Sequence, residues 1–498
     1  MSWLLALPIA VPFLTAAFAF LLRHRSLGRW ISVGGSAVLL GVSVALALAV
    51  LDAGILAGQM GGWAAPFGIT LVADYLSAVM VVITAIIALT SSVYALADIT
   101  REKEALGYHA LFNVLIAGVA GAFLTGDLFN LYVWFEVMLI SSFGLLILGG
   151  TKEQVDGGVK YVALNLVSTI LFLTGIGLLY GMTGTLNLAD LSTAVDGADQ
   201  GLLTVVAMAF MVAFGVKAAL FPLFFWLPAS YHTPAFTVSA VFAGLLTKVG
   251  VYALIRMFTL VFDHDVAFTH EILLWVAGLT MVTGVLGAAA QTDMRKILSF
   301  HIVSQIGYMI LGLALLTPFA LVGAVFYLVH HIVVKANLFL IAGVASRIAG
   351  GTELKQIGGL YKSAPLLAVL FLIPAFSLAG FPPLSGFWAK FILVKAALEA
   401  EGWIIAGVAL LVGLLTIYSM TKIWAQAFWE PHPDGIDPSL STLDPKTRRA
   451  LILPIAALAV MTMIIGLFPE PFVAFAEVSA AQLLDPSAYI AAVKGGAE

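Results

Sequence analysis

Long apolar runs separated by short polar segments dominate the chain from end to end. A bilayer core about 30 Å thick is crossed by roughly 20 apolar residues of α-helix, so a window of that length locates the spans. Fourteen runs meet this criterion, and they cover residues 2–22, 30–51, 71–97, 108–125, 128–150, 159–181, 202–227, 233–260, 271–290, 297–317, 319–345, 364–396, 403–428 and 450–469. The pattern predicts an all-α polytopic membrane protein with about 14 transmembrane helices.

The composition agrees with this pattern and excludes several other classes of protein. Of the 498 residues, 62% are hydrophobic and 10% are charged, whereas soluble proteins carry about 25% charged residues. A soluble multidomain enzyme, a disordered protein and a nucleic-acid-binding protein are therefore excluded. Cysteine is absent, which excludes disulfides, thiolate metal sites and cysteine-ligated iron–sulfur clusters. No nucleotide-binding glycine motif occurs, and we predict neither a cofactor nor a metal site.

Basic residues in the loops predict the orientation, because cytoplasmic loops are enriched in lysine and arginine. One side of the membrane receives 16 of the 23 basic residues, namely Arg23, Arg25, Arg29, Arg101, Lys103, Lys152, Lys160, Arg295, Lys296, Arg347, Lys355, Lys362, Lys422, Lys446, Arg448 and Arg449. The other side receives 3, namely Arg256, Lys395 and Lys494. The first side is predicted to be cytoplasmic, which places both termini on the outer side of a bacterial cell membrane. The arginines follow the first apolar run, whereas those of a signal peptide precede it, so we expect an uncleaved membrane helix.

Five charged side chains are assigned to the membrane interior and to neither side of it. They are Glu136 in span five, Lys217 in span seven, Lys248 in span eight, Lys335 in span eleven and Lys390 in span twelve. A charge at the bilayer centre costs about 2.5–3.5 kcal/mol on insertion scales. These groups could stabilise helix contacts or extend to the interface, Lys390 more easily than the others. A proton relay is the functional alternative, because burial lowers the pKa of lysine toward neutrality. A neighbouring carboxylate such as Glu136 would hold a lysine protonated and release the proton when it moves.

Histidines extend the predicted relay, because their ordinary pKa of about 6.5 allows both uptake and release of protons. His330 and His331 lie in span eleven, and His331 is four residues before Lys335, so the two side chains share a helix face. His232 and His301 lie at predicted cytoplasmic ends of their spans. There they are either interface histidines or part of a proton access path.

Prolines interrupt two of the charged spans. Pro222 follows Lys217, whereas Pro382 and Pro383 precede Lys390. Broken helices at corresponding places indicate a transport site. Spans seven and twelve are each fourth in a run of five, and five is odd, so the second run would be inverted. We predict four parts, namely helices 1–3 (1–107), a first five-helix unit (108–262), a second inverted unit (263–430), and a cytoplasmic loop, helix 14 and outer tail (431–498).

Two segments carry a resemblance to a known family. Residues 214–235 contain Lys217 and three prolines among aromatic residues, and residues 238–252 contain the run Leu-Leu-Thr-Lys-Val-Gly. They resemble the antiporter-like subunits of respiratory complex I and of the Mrp-type multisubunit Na⁺/H⁺ antiporters, over about residues 70–430. The run Tyr-Gly-Met-Thr-Gly-Thr-Leu-Asn-Leu-Ala-Asp-Leu at 180–191 is similar to the D-type subunits of the Mrp branch. The complex I subunit of similar length typically has glutamate where Lys390 stands.

The resemblance implies a role for each charged residue. Glu136 and Lys217 correspond to the coupling pair of the family, and Lys248 to its helix-eight lysine. His330, His331 and Lys335 correspond to the histidine and lysine group of helix eleven. Lys390 corresponds to the terminal ionisable residue of broken helix twelve.

The predicted function is proton translocation within a multisubunit Na⁺/H⁺ antiporter, with other membrane subunits as partners. Protons would pass from Lys217 through Lys248 and the span-eleven group to Lys390. Na⁺ prefers oxygen ligands and is repelled by lysines, so its path is expected elsewhere in the complex. One alternative is a proton-pumping subunit of NADH:quinone oxidoreductase or of a membrane hydrogenase. Another is a structural subunit whose charges hold partner helices together.

Overall fold

The structure is a computed structural model that describes residues 2–495. Within that range the chain forms 22 α-helices and one β-hairpin. The helices are α1 (Ser2–Leu21), α2 (Leu27–Ala53), α3 (Tyr75–Asp98), α4 (Arg101–Ala105), α5 (Tyr108–Leu124), α6 (Leu128–Ile147), α7 (Lys152–Thr183), α8 (Leu188–Ala194), α9 (Gln200–Ala218), α10 (Trp226–Ser230), α11 (Phe236–Val241), α12 (Thr247–Leu260), α13 (Val266–Ala290), α14 (Met294–Leu315), α15 (Pro318–Ala349), α16 (Leu360–Ser363), α17 (Pro365–Ala379), α18 (Ser385–Glu399), α19 (Trp403–Ile423), α20 (Pro445–Leu467), α21 (Glu470–Leu484) and α22 (Ser487–Gly495). The hairpin pairs β1 (Leu56–Gln59) with β2 (Thr70–Ala73) in antiparallel register.

The predicted all-α polytopic membrane fold is confirmed. Twelve helical segments of the described range are long and apolar enough to cross a membrane. Two shorter apolar helices, α5 and α17, occupy predicted spans four and twelve. Every predicted span therefore coincides with helix. Span seven is divided into α9 and α10, span twelve into α17 and α18, and span eight contains a π-helical segment, Phe242–Leu246, between α11 and α12.

The core of the bundle consists of helices that are buried on all sides. The span formed by α11, the π-helical segment and α12 is buried along its length, and α14 and α15 are almost fully buried. By contrast, α1, α2, α7, α13 and α19 each expose an apolar side. A helix that is apolar all round belongs in a protein interior. The most charged spans of the sequence therefore occupy the centre of the molecule.

The two ends of the bundle differ in charge. We call the end that carries Arg29, Arg101 and Arg347 the basic face, and the end that carries Asp74 and Lys494 the opposite face. Arg256, which the sequence counted among the basic residues of the outer side, lies inside α12 and forms a buried ion pair with Asp74. The sequence did not predict this ion pair, because hydropathy does not show which element lies opposite the residue.

A repeated pattern links the two halves of the chain. Three pairs of residues 166 positions apart have the same structural role: Asp127 and Asp293 cap α6 and α14, Thr151 and Thr317 cap α7 and α15, and Gly184 and Gly350 end α7 and α15. Antiparallel bridges also join Asp127 to Asn187 and Asp293 to Glu353, again 166 positions apart. The first bridge lies at the opposite face, beside Thr70, and the second lies at the basic face, beside Arg295. Two units of the same length in opposite orientations would produce such a spacing, and the division into inverted units stays a prediction.

A buried carboxylate organises the basic face between the third and fourth spans. Glu104 of α4 is only 4% exposed and contacts Arg29 at 2.8 Å, Arg101 at 3.0 Å and His109 at 3.2 Å. Burial acts to raise its pKa, but the hydrogen bonds from His109 and Arg29 and the charge of Arg29 outweigh it. The pKa of Glu104 is consequently lowered from 4.5 to about 2. The ionised form of this residue therefore connects α2, α4 and α5.

Replacing Glu104 by glutamine is expected to lower the free energy of unfolding by about 3 kcal/mol at neutral pH, since one unit of pKa shift is worth about 1.4 kcal/mol. The folded pKa is lowered, so the stabilisation is complete above pH 4.5 and disappears as the pH falls toward 2. Thermal unfolding in detergent as a function of pH measures the effect. Glu102→Gln, an exposed change on the same helix, is the control. Equal stability of the two variants would contradict the assignment.

Candidate functional site

The first group of predicted residues meets where α6, α7 and α9 pack together. The Thr169 hydroxyl donates a hydrogen bond of 2.6 Å to Oε1 of Glu136. The Nζ atom of Lys217 lies 5.6 Å from the ring centroid of Phe135, the neighbour of Glu136. Spans five and seven are therefore adjacent, as the predicted coupling pair requires. Among the described residues, Glu136 and Lys217 do not form a direct ion pair.

Lys217 faces a small cavity at the break of its helix. The cavity has a volume of about 20 Å³, and its polar lining includes Tyr161, Asn165, Lys217 and Tyr231. Helix α9 ends one residue after Lys217, and the chain is irregular around Pro222 until α10 begins at Trp226. The Trp226 indole donates to the carbonyl of Val216 in the last turn of α9, which also accepts from the backbone of Ala219. The Lys217 ammonium thus stands at the negative end of a helix dipole, which stabilises a positive charge.

Lys248 follows the π-helical segment of span eight. Its side chain is fully buried, and Nζ donates to the carbonyl of Ala243 within that segment. Short π-helical turns are frequent at functional sites. The sequence does not predict this one, because no proline or glycine pair marks it.

The span-eleven group lies at the centre of the molecule on α15. His331 and Lys335 are fully buried, and neither the ring nitrogens of His331 nor Nζ of Lys335 has a hydrogen-bond partner among the described residues. Buried polar atoms are rarely left without a partner, and bound water is the usual one. His330 differs, because its Nδ1 lies 2.8 Å from the hydroxyl of Ser385 at the start of α18.

The break of span twelve holds Lys390 in a comparable way. Helix α17 ends at Ala379, and α18 begins at Ser385, with Pro382 and Pro383 between them. The Lys390 Nζ atom donates to the carbonyls of Leu378 at 2.9 Å and Ala379 at 3.2 Å. These are the last carbonyls of α17, so Lys390 also stands at a helix C-terminus inside the bundle. It lies 5.2 Å from the ring centroid of Tyr308.

Several further polar residues lie beside this row, and of these the sequence analysis named only His301. His301, predicted near a helix end, is fully buried and contacts the Ser419 hydroxyl at 2.7 Å. Tyr327 donates to Gln305 and stacks on Tyr308 with ring centroids 5.3 Å apart. Span ten carries more polar residues than a lipid-facing helix tolerates, which is the signal that could have identified them. His232, by contrast, lies half-buried and contacts the carbonyl of Pro228 at 2.8 Å.

Five of the six predicted basic residues are therefore buried in the core, and Lys390 is half-buried. We refer to the six together as the row. In chain order it contains Lys217, Lys248, His330, His331, Lys335 and Lys390, with Glu136 beside the first member. Every member carries an exchangeable proton, and the two terminal lysines stand at broken helices. The row holds no cluster of three potential metal ligands within the described residues.

Residues 125–416 match the family described as the transmembrane part of NADH:quinone oxidoreductase and the Mrp antiporter. The chain is 48% identical over 495 residues, 99% of each chain, to the D-type subunit of the Na(+)/H(+) antiporter of Alkalihalophilus pseudofirmus. It is 41% identical over 489 residues, 98% of each chain, to the D-type subunit of the Na(+)/H(+) antiporter of Bacillus subtilis.

Solved structures show the same fold. A chain of the Mrp complex from Dietzia sp. matches with a TM-score of 0.91 and 36% identity, covering 99% of this chain and 100% of that one. A chain of respiratory complex I from Thermus thermophilus matches with a TM-score of 0.79 and 26% identity, covering 96% of this chain and 99% of that one.

Proposed function

Because this chain belongs to the membrane-subunit family shared by NADH:quinone oxidoreductase and the Mrp antiporters, we propose that it is the D-type member of a multisubunit Na⁺/H⁺ antiporter. Its part in the complex is to move protons. The similarity to two D-type antiporter subunits over almost their whole length supports this choice within the family. The protein acts as a transporter subunit and catalyses no covalent chemistry.

The observation that carries the proposal is the row of proton-exchanging groups from Lys217 to Lys390, all of which are buried except the half-buried Lys390. Ionisable residues in membrane spans are costly and mark ion or proton pathways. Protons pass along the row from Lys217 to Lys248, then through His331 and Lys335 to His330 and Lys390. Bound water links the groups, because the free atoms of His331 and Lys335 need hydrogen-bond partners.

Glu136 is the switch at one end of this row. Its carboxylate is only half-buried, and its own helix exposes apolar residues on the adjacent side, namely Phe129, Val133 and Ile140. A carboxylate cannot remain charged against lipid in the middle of a span. A partner membrane subunit therefore covers this side of α6. When this partner subunit is bound, the Glu136 carboxylate lies close enough to Lys217 to stabilise the protonated form of the lysine.

Replacing Glu136 by glutamine is expected to lower the exchange rate about tenfold, because Lys217 then loses the charge that attracts its proton. Exchange is measured in vesicles as Na⁺-driven dissipation of a pH gradient. Thr169→Val removes only the hydrogen bond to Glu136 and should have a smaller effect. Full exchange in Glu136→Gln would remove this residue from the mechanism.

The basic face is placed in the cytoplasm, because 16 of the 23 basic residues were assigned to that side and cytoplasmic loops are enriched in lysine and arginine. Both termini then lie on the outer side of a bacterial cell membrane. The Na⁺ path lies outside this row, since lysines repel a cation and offer no oxygen ligands. It belongs to another subunit or to the interface with one.

A further inference from the structure

A buried ion pair closes the opposite face of the protein at the end of span eight. A terminal nitrogen of Arg256 on α12 lies 2.6 Å from Oδ2 of Asp74. Both side chains are less than 8% exposed. Asp74 is fixed in place, because its carboxylate also accepts a hydrogen bond of 2.8 Å from the backbone of Ser77 at the start of α3. Spans three and eight are therefore joined by charge at this face.

Two aromatic rings cover the guanidinium of Arg256. Tyr252 and Tyr489 each place a ring centroid 5.3 Å from its central carbon. Tyr252 accepts a hydrogen bond of 3.2 Å from Arg256 and donates one of 2.8 Å to the carbonyl of Phe123. Aromatic faces attract a guanidinium and exclude water from it. The pair is thus enclosed by protein.

The second ring comes from the C-terminal part of the chain, beyond the last predicted span. Tyr489 lies on α22 and is buried. The preceding helix, α21, is anchored to the same face, because Oε1 of Gln482 accepts a hydrogen bond of 3.1 Å from the backbone of Tyr75. Phe475 packs against the Tyr75 ring with centroids 5.1 Å apart. The C-terminal helices therefore hold Tyr489 over the ion pair.

The ion pair and its two covering rings lie close to one member of the row of proton-exchanging groups, Lys248, and this position indicates their function. Lys248, Tyr252 and Arg256 follow one another at intervals of four residues, so they share one side of α12. Eight residues of α-helix span about 12 Å. Only two turns of helix thus separate Lys248 from the opposite face. A proton on Lys248 that escaped along this side would be lost without any exchange for Na⁺.

We propose that Asp74, Arg256, Tyr252 and Tyr489 form a charged seal that isolates Lys248 from the opposite face. The inference rests on the proposed proton path through Lys248. Arginine retains its proton at all physiological pH values and repels hydronium and Na⁺. Asp74 balances its charge so that it can remain buried, and the two rings keep water out. Protons consequently leave only at the Lys390 end of the row.

The seal is tested by proton leakage through the intact antiporter complex in vesicles without Na⁺. A pH gradient is imposed, and its decay is measured per assembled complex. Arg256→Gln and Tyr489→Ala are expected to speed the decay about tenfold, which corresponds to a barrier lower by about 1.4 kcal/mol. Arg256→Lys keeps the charge and Tyr489→Phe keeps the ring. In both variants the pH gradient should therefore decay as slowly as with the unchanged protein.

A second substitution identifies the route of the leak. Adding Lys248→Met to Arg256→Gln should return the decay of the pH gradient to its original slow rate, because the leak is proposed to pass through Lys248. A decay rate per complex that stays unchanged in Arg256→Gln and Tyr489→Ala, with or without loss of assembly, would overturn the seal and leave the ion pair a structural feature. A leak that persists in the double variant would also overturn it. Failure of the relay itself would appear elsewhere, as exchange that survives the loss of Lys217.

Discussion

Replacing Lys217 by alanine is expected to abolish Na⁺/H⁺ exchange while the complex still assembles. Lys217 is the member of the row that lies nearest Glu136, so its loss interrupts proton transfer at the first step. Positioned proton-transfer groups contribute at least about 100-fold to a rate. Exchange should therefore fall by at least about 100-fold in vesicles that contain the same amount of complex.

The structure offers a matched control for this experiment. Lys395 lies on α18, is half-exposed, and forms a surface ion pair with Glu399 at 3.6 Å, with its Nζ atom 4.8 Å from the ring centroid of Phe319. Such pairs contribute about 0–1 kcal/mol to stability, so Lys395→Ala should leave exchange and assembly intact. If Lys217→Ala retained exchange, the relay would be refuted. If it lost assembly and exchange in proportion, the lysine would be structural.

The second large effect is expected at Lys335, where transport and stability should change independently. Lys335→Met should reduce exchange by at least about 100-fold, because Lys335 links Lys248 to the Lys390 end of the row. The thermal stability of the complex should stay the same or rise. The Lys335 Nζ atom is buried without a hydrogen-bond partner among residues 2–495. Replacing a buried charge by an apolar side chain of similar volume is often neutral or stabilising.

Arg295→Met provides the contrast for Lys335→Met. Arg295 is also buried, but it donates to the carbonyl of Pro234 and to the hydroxyl of Ser239 at 2.7 Å. Removing it leaves these acceptors without a donor, so stability should fall. If Lys335→Met lowered the thermal stability and left exchange per assembled complex unchanged, Lys335 would be a structural residue.

Much of this fold could be predicted because bilayer thickness imposes a length on every span. The five intramembrane charges and the prolines near Lys217 and Lys390 were also visible, since such residues are costly in lipid and therefore conspicuous. The distance between Glu136 and Lys217 was not predictable, because hydropathy carries no information on which helices touch. The full burial of His301 was not predictable for the same reason, since a polar residue near a helix end can face either the interface or the core.

The C-terminal helices escaped prediction for a different reason. Helix α21 has only 15 residues and contains glutamates at both Glu470 and Glu477, so a 20-residue window does not register it. Helix α22 is shorter still. Their burial depends on tertiary contacts with α3 and α12, such as those of Gln482 and Tyr489. Likewise, the ion pair of Arg256 required knowledge of the element opposite it.

The constant spacing of 166 residues between corresponding caps restricts how this chain can vary in length. It matches Asp127 with Asp293, Thr151 with Thr317 and Gly184 with Gly350. No net insertion or deletion separates the two stretches, although their side chains differ and the position of Thr169 corresponds to that of Lys335. One added residue would rotate the following part of a helix by about 100°. Corresponding positions of the two stretches thus differ in residue type, whereas the number of residues between the caps is the same in both.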